Sequence, residues 1–198
     1  MLVQDFDFDA NLAIARQCAA DMVRNGLYSR FGLSEKERLE KAVLGCMGEY
    51  AFEHWLQSLG YTYEVDRAGF ENRNSDAFDF LMAESKIDVK VAKKSTDRPP
   101  NDNWTYGYPQ EQKPATKNYV IVGWVDFVKK QVGFYGWISG QVISKFPVVT
   151  KNTFAGYSYR TPNHEFKWGA LDKNFERFFR SVFSGKEVQR QPNLSGRG

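Results

Sequence analysis

The chain has 198 residues, 42% of them hydrophobic, and its 16 Phe, 10 Tyr and 5 Trp supply ample material for a core. A chain of this length buries roughly 70% of its extended surface and needs no disulfide or metal staple. Its 27 Lys and Arg against 24 Asp and Glu leave a formal charge of +3, which excludes a histone-like tail or an acidic solvating protein and singles out no partner. Cys18 and Cys46 form no CxxC pair, and with only His54 and His164 beside them the composition counts against structural zinc. Two reduced thiols, buried or half-buried, are expected. The opening MLVQDFDFDANLAIARQ is acidic where a secretion signal is basic, and no apolar run approaches a membrane span. A soluble cytoplasmic protein is the expectation.

From Asp9 to Arg24, Leu12, Ile14, Ala15, Ala19, Met22 and Val23 recur at helical spacing, and Asn25-Gly26 ends the run. Ser34-Glu35-Lys36-Glu37 is a capping-box signature for a second helix over about 35–59, with Leu39, Val43, Met47 and Tyr50 as its apolar stripe and Gly60 as its stop. The period then changes to two. Tyr61, Tyr63 and Val65 suit a strand, and Phe78–Met82 and Lys86–Val91 suit two more, joined by a turn at Glu84-Ser85. Residues 95–117 carry no periodicity and predict a long polar loop. Tyr119–Val125 reads as a buried strand, Lys129-Lys130 as a turn and Val132–Ile138 as the hairpin partner. Phe175, Phe178, Phe179 and Val182 predict a late helix, and the polar segment 185–198 predicts a disordered tail. The order predicts a single α/β domain over 1–184, with a central mixed sheet flanked by helices and a core over about 34–140.

Chemistry concentrates on the third strand. An acid two residues before a lysine occurs at Glu84/Lys86, Asp88/Lys90, Glu111/Lys113 and Glu165/Lys167. Only Asp88 and Lys90 lie in a clean alternating strand with another acid, Asp79, one short hairpin upstream. Ile87, Val89 and Val91 then point to the opposite face, into a core. With a two-residue turn at Glu84-Ser85, Asp79 pairs with Lys90 and Leu81 with Asp88, so Asp79, Asp88 and Lys90 share one face. Two carboxylates that close repel unless a cation lies between them, and hard oxygen donors suit Mg²⁺. A metal there lowers the pKa of a bound water and offsets phosphodiester charge, while Lys90 holds the water or stabilises the transition state. Glu49 is a third acid, on the second helix beside Gly45 and Gly48; Glu53 competes with it. Those glycines cost the helix roughly 1 kcal/mol each, which predicts very close packing of the helix on the sheet that carries the acids.

Gly48-Glu49 on a helix, Asp79-Phe80, and Asp88-Val89-Lys90 on the next strand resemble the PD-(D/E)XK nuclease superfamily with its restriction-endonuclease-like core. The resemblance spans roughly Leu39 to Ile138. It implies helix, three strands, crossover and strand in that order. It also implies that Asp79, Asp88 and the Val89 carbonyl bind Mg²⁺ (Mn²⁺ substituting), that Lys90 positions the water, and that Glu49 is the accessory acid. The chain departs from the pattern in having Phe78 where the family name has proline. Asp76 is the alternative to Asp79, and Gln112 falls where some members carry a glutamine contacting the site.

Charge is unevenly distributed. Residues 51–85 hold two Lys or Arg against seven acids, residues 86–117 seven against four, and residues 151–198 nine against four. That layout suits a cation-dependent enzyme acting on a polyanion. Lys93, Lys94, Arg98, Lys113 and Lys117 are the candidate phosphate contacts, and Trp104, Tyr106 and Tyr108 either pack the loop or stack on bases. The expectation is a Mg²⁺-dependent DNA endonuclease, with RNA left open as substrate and a homodimer as the simplest way to cut a duplex. The rival expectations are a non-catalytic nucleic-acid-binding module on the same fold and a β-rich ligand- or partner-binding domain. For Asp88 and Lys90, the competing reading is an exposed ion pair on a solvated sheet face. His54 and His164 are read as surface or satisfied core histidines.

Overall fold

The computed structural model describes residues 1–65 and 78–184; Asp76 and the tail from residue 185 lie outside them. Helix α1 (Phe8–Arg24) starts where Asp7 accepts the Ala10 N–H at 3.0 Å, and it ends at Asn25, followed by Gly26 at φ +97°. Helix α2 (Glu35–Ser58) carries the expected capping box. Ser34 Oγ accepts the Glu37 N–H at 3.3 Å, and the Glu37 carboxylate accepts the Ser34 N–H at 2.9 Å. No helix among the described residues is long and apolar enough to cross a membrane.

The strands are β1 (Glu64–Val65), β2 (Phe80–Met82), β3 (Ser85–Lys93), β4 (Thr105–Pro109), β5 (Tyr119–Asp126), β6 (Gln131–Ser139), β7 (Val148–Lys151) and β8 (Ser158–Lys167). Five of them form a mixed sheet in the order β1-β2-β3-β5-β6, in which only β3 and β5 run parallel. The other three form a second, antiparallel sheet in the order β4-β8-β7. Helix α3 (Gly140–Ile143) follows β6, and α4 (Phe175–Val182) is the predicted late helix.

Helices cover one face of the main sheet. Ile87, Val89, Ile121, Val125 and Phe134 pack there with Met47, Phe52 and Leu56 of α2 and Phe178 of α4. The other face is covered by the second sheet, where Val120, Val122 and Ile138 meet Tyr108, Phe166 and Trp168. Helices thus flank the mixed sheet on one face, and strands cover the other. The apolar run of β5 fits a strand covered on both faces.

Two local differences bear on the site. The β2–β3 turn is Ala83-Glu84, at φ +45° and +70°, one residue earlier than expected, and Phe80 pairs with Ile87. That moves the register by two residues, and because side chains alternate with period two, every side chain keeps its face. Segment 95–117 is not structureless: it holds β4 and two short 3₁₀ turns, Gln110–Gln112 and Pro114–Thr116. Trp104, Tyr106 and Tyr108 alternate as a strand should, but the partner that makes them one lies almost sixty residues later, where Tyr108 pairs with His164.

Gly48 is where α2 touches β3. A Cβ there would lie 2.7 and 2.8 Å from the two methyls of Val91, whereas one at Gly45 would meet nothing within 4 Å. Close packing therefore accounts for Gly48; nothing in the structure explains Gly45. Gly48→Ala is expected to destabilise by about 1–3 kcal/mol through overpacking, and Val91→Ala in the same chain should restore part of the loss. Urea unfolding of the single and double variants measures both.

Candidate functional site

Alternation along β3 sends Ile87 and Val89 into the helical core and Asp88 and Lys90 toward the second sheet. Asp88 is only 4% exposed, so the solvated-face reading fails. One of its oxygens accepts from Lys90 Nζ at 2.9 Å, and the other accepts from the Tyr108 hydroxyl at 2.9 Å. The Lys90 ammonium also lies 5.9 Å from the centre of the Tyr108 ring. Asp79, just before β2, is held by two backbone contacts: its N–H donates to the Ile87 carbonyl at 3.0 Å, and its carboxylate accepts the Val89 N–H at 2.6 Å.

The two carboxyls titrate apart. Burial pushes Asp79 well above the usual carboxylate range, and the charges of Asp88 and Glu49 push the same way against Lys90 and the Val89 N–H. Burial also opposes ionisation of Asp88, but the charge and hydrogen bond of Lys90, with Lys117 and Tyr108, outweigh it and hold that carboxyl low. Lys90 loses solvation, yet Asp88 and Asp79 raise its pKa and keep it charged. Two acids sharing one buried space with one ammonium divide the protons unequally.

Of the helix acids, Glu49 belongs to this group, since its charge acts on Asp79, Cys46 and Tyr28. Glu53 accepts from the Tyr63 hydroxyl at 3.1 Å, toward β1. Three tyrosines complete the surroundings. Tyr108 is fully buried; burial raises its pKa and that of Tyr106 and keeps both hydroxyls protonated. Tyr28, in the α1–α2 connection, lies within the field of Lys90, Glu49 and Asp79. Its φ of +59° is a left-handed conformation rare for an aromatic residue. No residue spacing in the sequence signals Tyr28, and Tyr108 stands out there only as one of an aromatic trio.

The five candidate phosphate contacts do not share one surface. Lys117 is buried, 6% exposed, and its charge acts on Asp88, so it belongs to the site's interior. Lys94 is also enclosed: it donates to Asp126 at 2.9 Å and to the Thr96 carbonyl at 2.6 Å. The pairing acid, Asp126, ends β5, and sequence spacing gives no hint of it. Lys93, Arg98 and Lys113 are exposed, and Lys93 stands on the β3 face opposite Asp88 by alternation. His54 and His164 are satisfied by the Gln4 and Phe146 carbonyls at 3.1 and 3.0 Å. Cys18 is half-buried and Cys46 buried, both as free thiols.

Among the described residues, no three His, Cys, Asp or Glu side chains form a ready metal cage. The donor set fits a cation that needs fewer protein ligands. Two carboxylates, completed by backbone carbonyl, water and phosphate oxygens, are how Mg²⁺ is usually held. Burial lifts Asp79 most, and the negative charges of Asp88 and Glu49 that add to it are what such a cation would neutralise. Gln112, on the turn beyond β4, has a buried amide oxygen without a hydrogen-bond partner. Compared with protein-family models, curated proteins and solved structures, the chain gives no match.

Proposed function

We propose that the chain is a Mg²⁺-dependent nuclease that hydrolyses DNA phosphodiester bonds, as an endonuclease on a restriction-endonuclease-like core of the PD-(D/E)XK type. The observation that carries this reading is the junction of Asp79, Asp88 and Lys90 in a seam between two sheets, with opposite titration of the two acids. The element order, α2, three strands, a crossover and β5 parallel to β3, is the one the resemblance implies; here the crossover runs through β4.

In this reading Asp79, Asp88 and the Val89 carbonyl hold Mg²⁺ or Mn²⁺, with Glu49 as the accessory acid from α2. The bound cation supplies a lowered water pKa and neutralises charge on the phosphate. Lys90 Nζ, fixed by Asp88, orients the attacking water and stabilises the charge that grows on the phosphorane oxygens. Tyr108 fixes the second Asp88 oxygen and so sets the rotamer that the carboxylate presents. A homodimer would bring two such sites to the two strands of a duplex.

Lys90→Ala tests the assignment. Cleavage of plasmid DNA in Mg²⁺ should fall at least about 10²- to 10³-fold, the usual cost of removing one oriented charge from a transition state. A variant that cuts as fast as the parent would end the proposal. One observation favours a second reading, a nucleic-acid-binding module without activity: both Asp88 oxygens are already bonded, to Lys90 and to Tyr108. Calorimetric titration with Mg²⁺ separates the two. Heat that disappears in Asp88→Asn supports the nuclease, and no heat with the parent protein supports the module.

A further inference from the structure

Residues 127–164 contain no Asp or Glu and five Lys or Arg. Within that acid-free stretch lies the β7–β8 hairpin, whose tip exposes two aromatic side chains, Phe154 at 69% and Tyr157 at 56%. Lys151 and Arg160 flank the tip, are exposed, and make no ion pair among the described residues.

The tip is held rigidly. Its nearest acid, Glu165, is buried, and its carboxylate accepts from the Asn152 amide at 2.8 Å, the Tyr159 hydroxyl at 2.6 Å and the Thr153 N–H at 3.0 Å, with the Thr153 hydroxyl as a fourth donor. Asn152 in turn accepts the N–H groups of Phe154 and Ala155 on its side-chain oxygen, at 3.1 and 2.5 Å. Its own N–H donates to the Tyr157 carbonyl at 2.8 Å. Gly156, at φ +75°, makes the turn. Burying a carboxylate is costly unless it is fully hydrogen-bonded, and here the bonds all converge on the base of the loop. The bonds fix the backbone that carries the two exposed aromatics and take the charge of Glu165 off the surface around them.

We propose that this hairpin is a stacking wedge for unpaired bases, so that the substrate of the nuclease carries single-stranded or frayed segments. The inference rests on the nuclease reading. Exposed aromatic rings between cations are the equipment of single-strand binding: every base offers a π-face, and the cations hold the backbone. A loop already fixed loses little freedom on binding. A partner protein would find the rings but no anionic side chain on the tip for its own cations.

Phe154 and Tyr157 sit on the hairpin tip and are not among the hydrogen-bond partners of Asp79, Asp88 or Lys90. The wedge therefore acts on affinity, not on the chemical step.

The test is binding of fluorescein-labelled oligonucleotides in chelator, compared for single-stranded, flapped and fully paired forms, with cleavage in Mg²⁺ alongside. The Phe154→Ala/Tyr157→Ala variant should bind single strands and flaps roughly 10- to 100-fold more weakly, with little change on paired duplex. Its KM on flapped substrate should rise while kcat stays near the parent's, and Phe154→Trp should bind like the parent. Unchanged affinity for every form overturns the wedge, as does an equal loss on paired duplex or loss of self-association as the only effect. If the parent binds single strands through Phe154 and Tyr157 but never cleaves, the wedge stands and the nuclease reading falls. If the parent cleaves and the double variant matches it, the wedge alone falls.

Discussion

Replacing Asp88 by alanine is expected to abolish cleavage and to lower the unfolding free energy of the metal-free protein by about 3 kcal/mol. The ammonium of Lys90 would lose its 2.9 Å partner, and the Tyr108 hydroxyl its acceptor. Removing one member of a buried pair usually costs about 3–5 kcal/mol; the lower end applies because Asp79 can ionise once Asp88 no longer repels it. The pH dependence follows. Asp88 has a folded pKa below its unfolded value, so its contribution is complete above the unfolded value of about 3.9 and is lost as pH falls through the folded one. Parent and variant should differ most at neutral pH and converge below about pH 4. Urea titrations in chelator from acid to neutral pH measure the difference, and a gap that does not close in acid would remove the ion pair as its cause.

Asp79→Asn should do the reverse to stability while also ending activity. Asp79 has a folded pKa above its unfolded value, so the acid costs the fold nothing below about pH 4 and progressively more as pH rises. Asparagine keeps the acceptor for the Val89 N–H and discards the charge. A gain of about 0.5–2 kcal/mol at neutral pH is expected, a few degrees in thermal midpoint for a chain of this size. The sign should invert in the absence of Asp88. In the Asp88→Ala chain, Asp79 is the remaining anion beside Lys90, so adding Asp79→Asn should destabilise further. Residues that share one charge are coupled and not additive. Two independent stability changes, with the same sign in both backgrounds, would show that the acids do not share a site.

Much of this arrangement is legible in the sequence because it is local. The Ser34 cap, the α2 stripe and the alternation of β3 each involve neighbours a few residues apart. The convergence of Asp79 with Asp88 survives a misplaced turn because the displacement is even: a slip of two residues returns each side chain to its own face. What cannot be read is non-local. Tyr108 becomes a partner of Asp88 only through the pairing of β4 with β8, and a strand flanked by prolines, whose partner is distant, resembles a loop. Lys94 and Lys117 look like surface cations because burial of a lysine depends on an acid elsewhere in the fold. Those acids, Asp126 and Asp88, are 32 and 29 positions away in the chain. The covering of the acid-bearing face by strands instead of helices belongs to the same class.

The passage of the β3–β5 crossover through β4 also orders events in time. The crossover cannot settle until β4 finds β8, and β8 is made about fifty residues after β4. A chain emerging from the ribosome could build α1, α2 and the first three strands early, yet Asp88 would still face water, with neither Tyr108 nor the second sheet over it. Contacts that span so much chain form late and slowly. The acids and the lysine of the proposed centre are thus covered only once the chain has been made through β8, so a product truncated before β8 would carry Glu49, Asp79, Asp88 and Lys90 without the second sheet over them.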